Sequence, residues 1–214
     1  MSRPRLLDLF CGAGGAAMGY HRAGFDVVGV DNRPQPRYPF EFVQGDALVT
    51  LRMSWARIFD AIHASPPCQD YSKAMRHLSG HYPRLIDPIC HLLRSSGLPW
   101  VIENVQGAPL PSQDTLDGRH GLELCGTMFG LPIWRHRLFE MSLPIAPPRG
   151  CDHTMQPMNP ERANRPGGRS NEQAWREAVG VGWMKRYEAR EAIPPAYTEH
   201  IGAALLGHLR ERAA

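Results

Sequence analysis

No apolar run in this chain approaches the ~20 residues that a membrane-spanning helix needs, which excludes a helical membrane protein as the expected class. Near the start, Arg3 and Arg5 precede only Leu6-Leu7-Asp8, too short an apolar stretch for a signal peptide. The expectation is a soluble, cytoplasmic protein without a membrane partner. Cysteine is scarce and scattered: Cys11, Cys68, Cys90, Cys125 and Cys151 make an odd count with wide, irregular spacing and no C-x-x-C, so no disulfide framework is expected. Cys151-Asp152-His153 offers two metal ligands, but no second close pair stands near them in the sequence, and no metal site is expected. Neither a G-x-G-x-x-G turn of dinucleotide spacing nor a Gly-Lys-Ser/Thr phosphate loop occurs. Internal repeats are absent as well. The net charge of +3 is small; it permits a nucleic-acid partner without demanding one.

What is present is an alternation. Apolar runs at residues 5–10, 25–30, 41–43, 59–64 and 100–102 read as strands. Ala16 to Ala23 reads as a helix, and Leu85, Ile89, Leu92 and Leu93 fall at helical spacing. Strands alternating with helices imply an α/β fold: a Rossmann-like, mostly parallel twisted sheet with helices on both faces. The length of 214 residues suits one main domain with at most a small appendage. From residue 144 to residue 170 the chain is rich in proline and glycine and poor in apolar residues. This stretch reads as a loop-rich insert, and regular structure resumes near Asn171, with residues 196–212 as a closing helix. The expected division is a catalytic and cofactor-binding core at 1–142, a small target-recognition insert at 143–191 and a C-terminal helix at 192–214 that returns to the core. If residues 171–191 belong to that return, only about 143–170 are left for recognition. Residues 141–190 carry Arg149, Arg162, Arg165, Arg169, Arg176, Lys185, Arg186 and Arg190 against Asp152, Glu161, Glu172, Glu177 and Glu188. That excess is modest, and a solvated surface explains it as well as a phosphate-facing patch does.

In parallel α/β sheets, ligands bind beyond the carboxyl ends of the strands. Four chemically apt residues fall at expected strand ends: Asp31, Asp46, Cys68 and Glu103. Cys68 lies in Ser65-Pro66-Pro67-Cys68-Gln69, where two prolines stiffen an exposed turn. Between the first strand and helix, Gly12-Ala13-Gly14-Gly15 permits tight backbone angles and close approach to a ligand. Asp31 suits a ribose diol and Asp46 an exocyclic amine, although either could equally cap a helix or a turn. A thiol nucleophile, an acid partner and a nucleotide cradle together point to the addition of a one-carbon group to a pyrimidine ring.

These residues resemble the DNA (cytosine-5) methyltransferases. The resemblance rests on Asp8–Gly15, Asp31, Asp46, Pro66-Pro67-Cys68-Gln69 with Ser72, Glu103-Asn104-Val105, Arg135-His136-Arg137 and a looser segment from Ala192 to Leu209. It implies a small member of the family with a much reduced target-recognition region, an S-adenosylmethionine-dependent methyltransferase fold, and S-adenosylhomocysteine as product. Phe10 with Gly12, Ala13, Gly14 and Gly15 would flank the adenosyl and methionine parts. Asp31 would hold the ribose with Asn32 beside the adenine, Asp46 the adenine amine with Ala47 next to it, and Pro66 would line the pocket.

On the same resemblance, Cys68 adds to carbon 6 of cytosine and makes carbon 5 nucleophilic. Glu103, held protonated, donates to ring nitrogen 3. Arg137 and Arg135 bind the base carbonyl, and Asn104 positions the nucleophile turn. The target base is buried in a duplex, so double-stranded DNA with base flipping is implied; the oligomeric state is not readable from the sequence, and a monomer is the expectation. Residues 69–83, with Lys73, Arg76, His77 and His81, read as a loop closing over the nucleotide. His153, Asn159, Arg162, Asn164, Arg165 and Arg169 are the candidate DNA contacts, while Trp175 and Trp183 suit either stacking or a core. Two positions depart from the family pattern: Ile133 where a glutamine is common, and Ala203 after Gly202 where an asparagine is common. Cytosine-5 modification of RNA or a free deoxycytidine nucleotide, and a non-catalytic cofactor- or DNA-binding regulator, are the competing readings.

Overall fold

The structure, a computed structural model, describes residues 2–68, 71, 84–158 and 171–213. Seven strands form one sheet: β1 (Arg5–Leu9), β2 (Asp26–Asp31), β3 (Glu41–Gln44), β4 (Ala61–Ala64), β5 (Trp100–Val105), β6 (His120–Leu124) and β7 (Arg137–Met141). Their spatial order is β3-β2-β1-β4-β5-β7-β6. The first five pair in parallel, and β7 runs antiparallel between β5 and β6. This is the expected Rossmann-like fold. The helices are α1 (Gly15–Ala23), α2 (Ala47–Arg52), α3 (Ile86–Ser95), α4 (Asn171–Val179), α5 (Arg186–Glu191) and α6 (Pro195–Ala213).

Because side chains alternate across a strand, the sheet divides its apolar residues between two layers. Leu6, Val27, Val101 and Phe139 meet Ala17 and Tyr20 of α1 and Tyr197, Ile201 and Leu205 of α6. On the opposite face, Leu7, Val28, Ile62 and Ile102 meet Ile86, Ile89 and Leu93 of α3. The α1–α6 contact is close: a side chain at Gly19 would lie 2.1 Å from the Pro195 carbonyl, and Thr198 Oγ1 donates to the Ala16 carbonyl at 2.8 Å. The closing helix is therefore welded to the helix that follows the glycine turn.

Two expectations need correction. Strand β5 continues to Val105, so Glu103 lies inside the strand opposite Phe139 rather than at its end. Gly202 sits mid-helix against Ala23 and Tyr20, and Ala203 is exposed. The departure at that position therefore touches neither the turn nor Cys68. Trp175, Val179, Val181, Met184 and Ala189 form a third apolar cluster with Ala13 and Ile133. Residues of the 171–191 stretch thus share apolar contacts with the turn after β1 and with Ile133. Ile133 fills that cluster and closes on Gly126, where a Cβ would stand 2.5 Å from the Ile133 carbonyl. An apolar side chain suits this place.

Candidate active site

The turn after β1 is shaped by backbone angles that few residues tolerate. Phe10 has φ 57°, Gly12 φ 49° and Gly14 φ 86°. A Cβ at Gly14 would lie 2.7 Å from Pro39 Cδ, whereas Gly12 faces open space. Gly12 N–H donates to Asp31 Oδ2 at 3.1 Å, so the end of β2 and the turn form one surface. The indole of Trp183 donates to the Ala13 carbonyl at 3.0 Å. Both tryptophans are accordingly committed to the core and the turn, not to stacking on a base. Asp46 caps α2, its Oδ1 accepting from Val49 N–H at 2.9 Å, with Ala47 buried behind it. This is the capping role that the sequence left open. Asn32 is exposed beside Asp31.

Around Cys68 the geometry is denser. Asn104 Nδ2 donates to the Pro66 carbonyl at 2.9 Å, and Asn104 Oδ1 accepts from Val105 N–H. Tyr71 N–H closes the turn on the Cys68 carbonyl at 3.0 Å. Val105 pairs with Arg137 and Glu103 with Phe139, so Glu103 and Arg137 are diagonal neighbours on one face. Arg137 Nε stands 2.9 Å from Glu103 Oε1, an ion pair. The approach is off-axis, and among the described residues Glu103 Oε1 accepts no aligned hydrogen bond. Arg135 is tied down by donation to the Arg190 carbonyl at 2.6 Å, and its own carbonyl accepts from Tyr197 Oη. Its Nε is buried without a partner among the described residues.

Burial governs the charges here. Glu103 is 5% exposed, and desolvation pushes its carboxyl up despite Arg137, Arg135 and a hydrogen bond from Ser65. Burial and the neighbouring Arg137 pull Arg135 down to about 9. The Cys68 thiol is pushed up by burial and then by the Glu103 charge, with Arg137 acting against both and Glu191 adding to the rise.

Sequence reasoning missed what stands behind Glu103. Tyr20 Oη lies 2.9 Å from His63 Nδ1, and His63 Nε2 lies 2.7 Å from Ser65 Oγ. Ser65 in turn bonds Glu103. Burial drives His63 down to about 3, so the ring is neutral. The one legible signal was a histidine and a serine within an otherwise apolar strand and its turn.

The expectation of no metal site rested on the lack of a second close pair of ligands in the sequence, and the fold brings such a pair near. The antiparallel return of β7 on β6 brings Cys125 and His136 to Cys151 and His153, and their ligand atoms all lie within 4.8 Å of one another. Gln69, Ser72, Lys73, Arg76, His77 and His81 lie outside the described residues, as do Asn159, Arg162, Asn164, Arg165 and Arg169.

The glycine turn, the Cys68 thiol, the buried Glu103 carboxyl and the guanidinium groups of Arg135 and Arg137 thus lie at one edge of a Rossmann-like sheet. The chain belongs to the C-5 cytosine-specific DNA methylase family, whose model matches residues 4–113. It is 33% identical over 158 residues to the type II methyltransferase M.HgiDI of Herpetosiphon aurantiacus, covering 63% of this chain and 50% of that protein. Over 120 residues it is 31% identical to M.HgiGI, another type II methyltransferase of that organism, covering 50% of this chain and 94% of that protein. The chain spans 50% of the length of M.HgiDI and 29% of M.XorII of Xanthomonas oryzae pv. oryzae. The solved methyltransferase EhMeth of Entamoeba histolytica superposes with a TM-score of 0.46 at 20% identity, over 68% of this chain and 56% of that one. No helix among the described residues is long and apolar enough to cross a membrane.

Proposed function

We propose that the chain is a DNA (cytosine-5) methyltransferase acting on a cytosine flipped out of duplex DNA. The observation that carries the reading is the convergence of Cys68, Glu103 and Arg137, with Arg135 beside them, next to the glycine turn. Glu103 Oε1 and Arg135 Nε are buried there without hydrogen-bond partners among the described residues. A buried polar atom without a partner costs about 1–3 kcal/mol, which applies to Arg135 Nε, while Glu103 Oε1 keeps its ion pair with Arg137; the carbonyl and ring nitrogen of a pyrimidine would supply aligned partners for both.

The cofactor-side residues fit S-adenosylmethionine: open space at Gly12, positive φ through the turn and a carboxylate at Asp31. Phe10, Gly12, Ala13, Gly14, Gly15, Asp31, Asn32, Asp46, Ala47 and Pro66 would hold it, and when bound it supplies the methyl group. The chain's own residues do the rest. Cys68 loses its proton and bonds carbon 6 of the base. Glu103 in its protonated form donates to ring nitrogen 3, and Arg137 with Arg135 binds the carbonyl where charge develops. A proton on Glu103 also removes the carboxylate charge that opposes ionisation of Cys68, so one protonation serves both residues. Once carbon 5 has taken the methyl group and lost its proton, the carbon–sulfur bond breaks and Cys68 is free again. Asn104 keeps the turn in place. Residues 1–142 with 171–213 serve as the core, residues 143–170 as the recognition stretch, and a monomer in the cytoplasm is the acting form.

Duplex DNA containing 5-fluorocytosine tests this, because fluorine blocks the final elimination. Wild type with S-adenosylmethionine should give a covalent adduct whose mass includes one methyl group, and Cys68→Ser should give none. Absence of any adduct across a pool of random sequences would overturn DNA as substrate and favour RNA, a free nucleotide or a non-catalytic role.

A further inference from the structure

We propose that Cys125, His136, Cys151 and His153 bind one zinc ion, a structural site that staples the loop after β7 to the edge of the catalytic sheet. The four residues come from three separate segments: Cys125 directly after β6, His136 in the lead into β7, and Cys151 and His153 in the loop beyond it. Cys151 Sγ lies 2.9 Å from His153 Nε2 and 3.6 Å from His136 Nε2, and Cys125 Sγ lies 3.4 Å from His153 Nε2. With Zn–S near 2.3 Å and Zn–N near 2.0–2.1 Å, a tetrahedron has sulfur–nitrogen edges of about 3.6 Å. Two of the three observed spacings, 3.4 and 3.6 Å, lie close to that value, and the third, 2.9 Å, is shorter. A thiol is a weak hydrogen-bond donor, so bonding among these groups alone gives little reason for two thiols and two imidazoles to point inward.

The surroundings are those of a metal site. Thr127 Oγ1 lies 3.4 Å from both Cys125 Sγ and Cys151 Sγ. It accepts from Asp152 N–H at 3.1 Å, which leaves its own proton for a thiolate. Trp134 stacks on His153, with ring centroids 4.5 Å apart at 24°. Arg149 closes the loop by donating to the carbonyls of Met128 at 2.8 Å and Thr127 at 3.1 Å. From Ser142 to Met158 the chain has neither helix nor strand, and a bound metal gives such a segment the fixed point that it lacks on its own.

The donor set selects the ion. Two thiolates and two imidazoles at tetrahedral spacing suit zinc; calcium and magnesium require oxygen ligands. Four protein ligands leave no open position, so the role is structural. His136 stands between Arg135 and Arg137, so the ion also sets the register of the two arginines on the Glu103 side. This inference stands independently of the methyl-transfer reading.

The test is metal content of the whole chain, purified without chelator from zinc-supplemented medium, by plasma mass spectrometry. About one zinc per chain is expected, as for a closed Cys₂His₂ site. Cobalt exchanged for it should give the intense visible bands of a tetrahedral thiolate site. Cys151→Ser and His153→Ala should each lose the metal, while Cys90→Ala, which changes a cysteine of α3, should retain it. Wild type that holds no zinc and develops no cobalt bands overturns the proposal whether or not any variant folds. So does a Cys125–Cys151 disulfide found by peptide mapping of the purified chain, or metal retained by both Cys151→Ser and His153→Ala.

Discussion

Asn104 Nδ2 holds the carbonyl of Pro66 at 2.9 Å, and this buried hydrogen bond fixes strand β5 to the turn that presents Cys68. The same strand carries Glu103, so one rigid element sets the position of both the thiol and the acid.

Asn104→Ala should therefore lower turnover while leaving cofactor affinity near wild type. A displacement of about 1 Å at a nucleophile costs on the order of 100-fold. Single-turnover methylation, measured beside S-adenosylmethionine binding by calorimetry, separates the two effects. Equal losses in both would mean that Asn104 supports the whole edge rather than the turn.

Glu103→Gln removes the charge that pushes the Cys68 thiol up. The pH profile for alkylation of Cys68 should shift toward lower pH, while methyl transfer falls about 10²- to 10⁴-fold, the usual range for a lost general acid. An unmoved alkylation profile would show that burial alone sets the thiol.

Asp8 is fully buried, and desolvation lifts its carboxyl to about 8. Its raised value means that its stabilising contribution is complete below the ordinary carboxylate range and is lost as pH rises toward 8. His63 has the opposite sense: lowered to about 3, it favours folding above its ordinary 6.5 and costs stability as pH falls. Between pH 6.5 and 8 the decline from Asp8 is not offset by His63, at up to about 1.4 kcal/mol per pH unit. Tm should fall across that window, and Asp8→Asn should flatten the slope.

Thr127→Val keeps the shape of the side chain and removes the hydroxyl that faces both sulfurs. Zinc affinity should drop about 10- to 100-fold, the usual cost of losing a partner that orients metal ligands. Competition against a chromophoric chelator measures it. Affinity equal to wild type would mean that Thr127 only closes the loop.

The parallel half of the sheet was legible because β1, β2, β4 and β5 are nearly continuous apolar runs buried on both faces. The antiparallel half was not. β6 is broken by Gly121 and Glu123, and β7 carries Glu140, only 1% exposed. Arg94 at 2.7 Å and Arg119 at 2.6 Å neutralise Glu140, so a buried ion-paired acid hides the strand that holds it. The site residues Cys68 and Glu103 were readable from local context. Cys125 and His136 were not, since only the return of β7 on β6 makes them neighbours of Cys151 and His153. Of the chain behind Glu103 only His63 and Ser65 left a trace in the sequence, since Tyr20 and His63 lie on different elements.

That chain has a consequence for how often Glu103 can change state. A neutral imidazole holds one donor and one acceptor, so the series Tyr20, His63, Ser65, Glu103 can point in either direction with every link intact. With Glu103 ionised, the hydroxyls and ring aim their protons toward it; with Glu103 protonated, all of them reverse. The core thus contains a chain of dipoles with two settings, and in the second the Tyr20 hydroxyl proton turns away from His63. A carboxyl backed in this way can give up a proton and take one back while its links through Ser65 and His63 stay made.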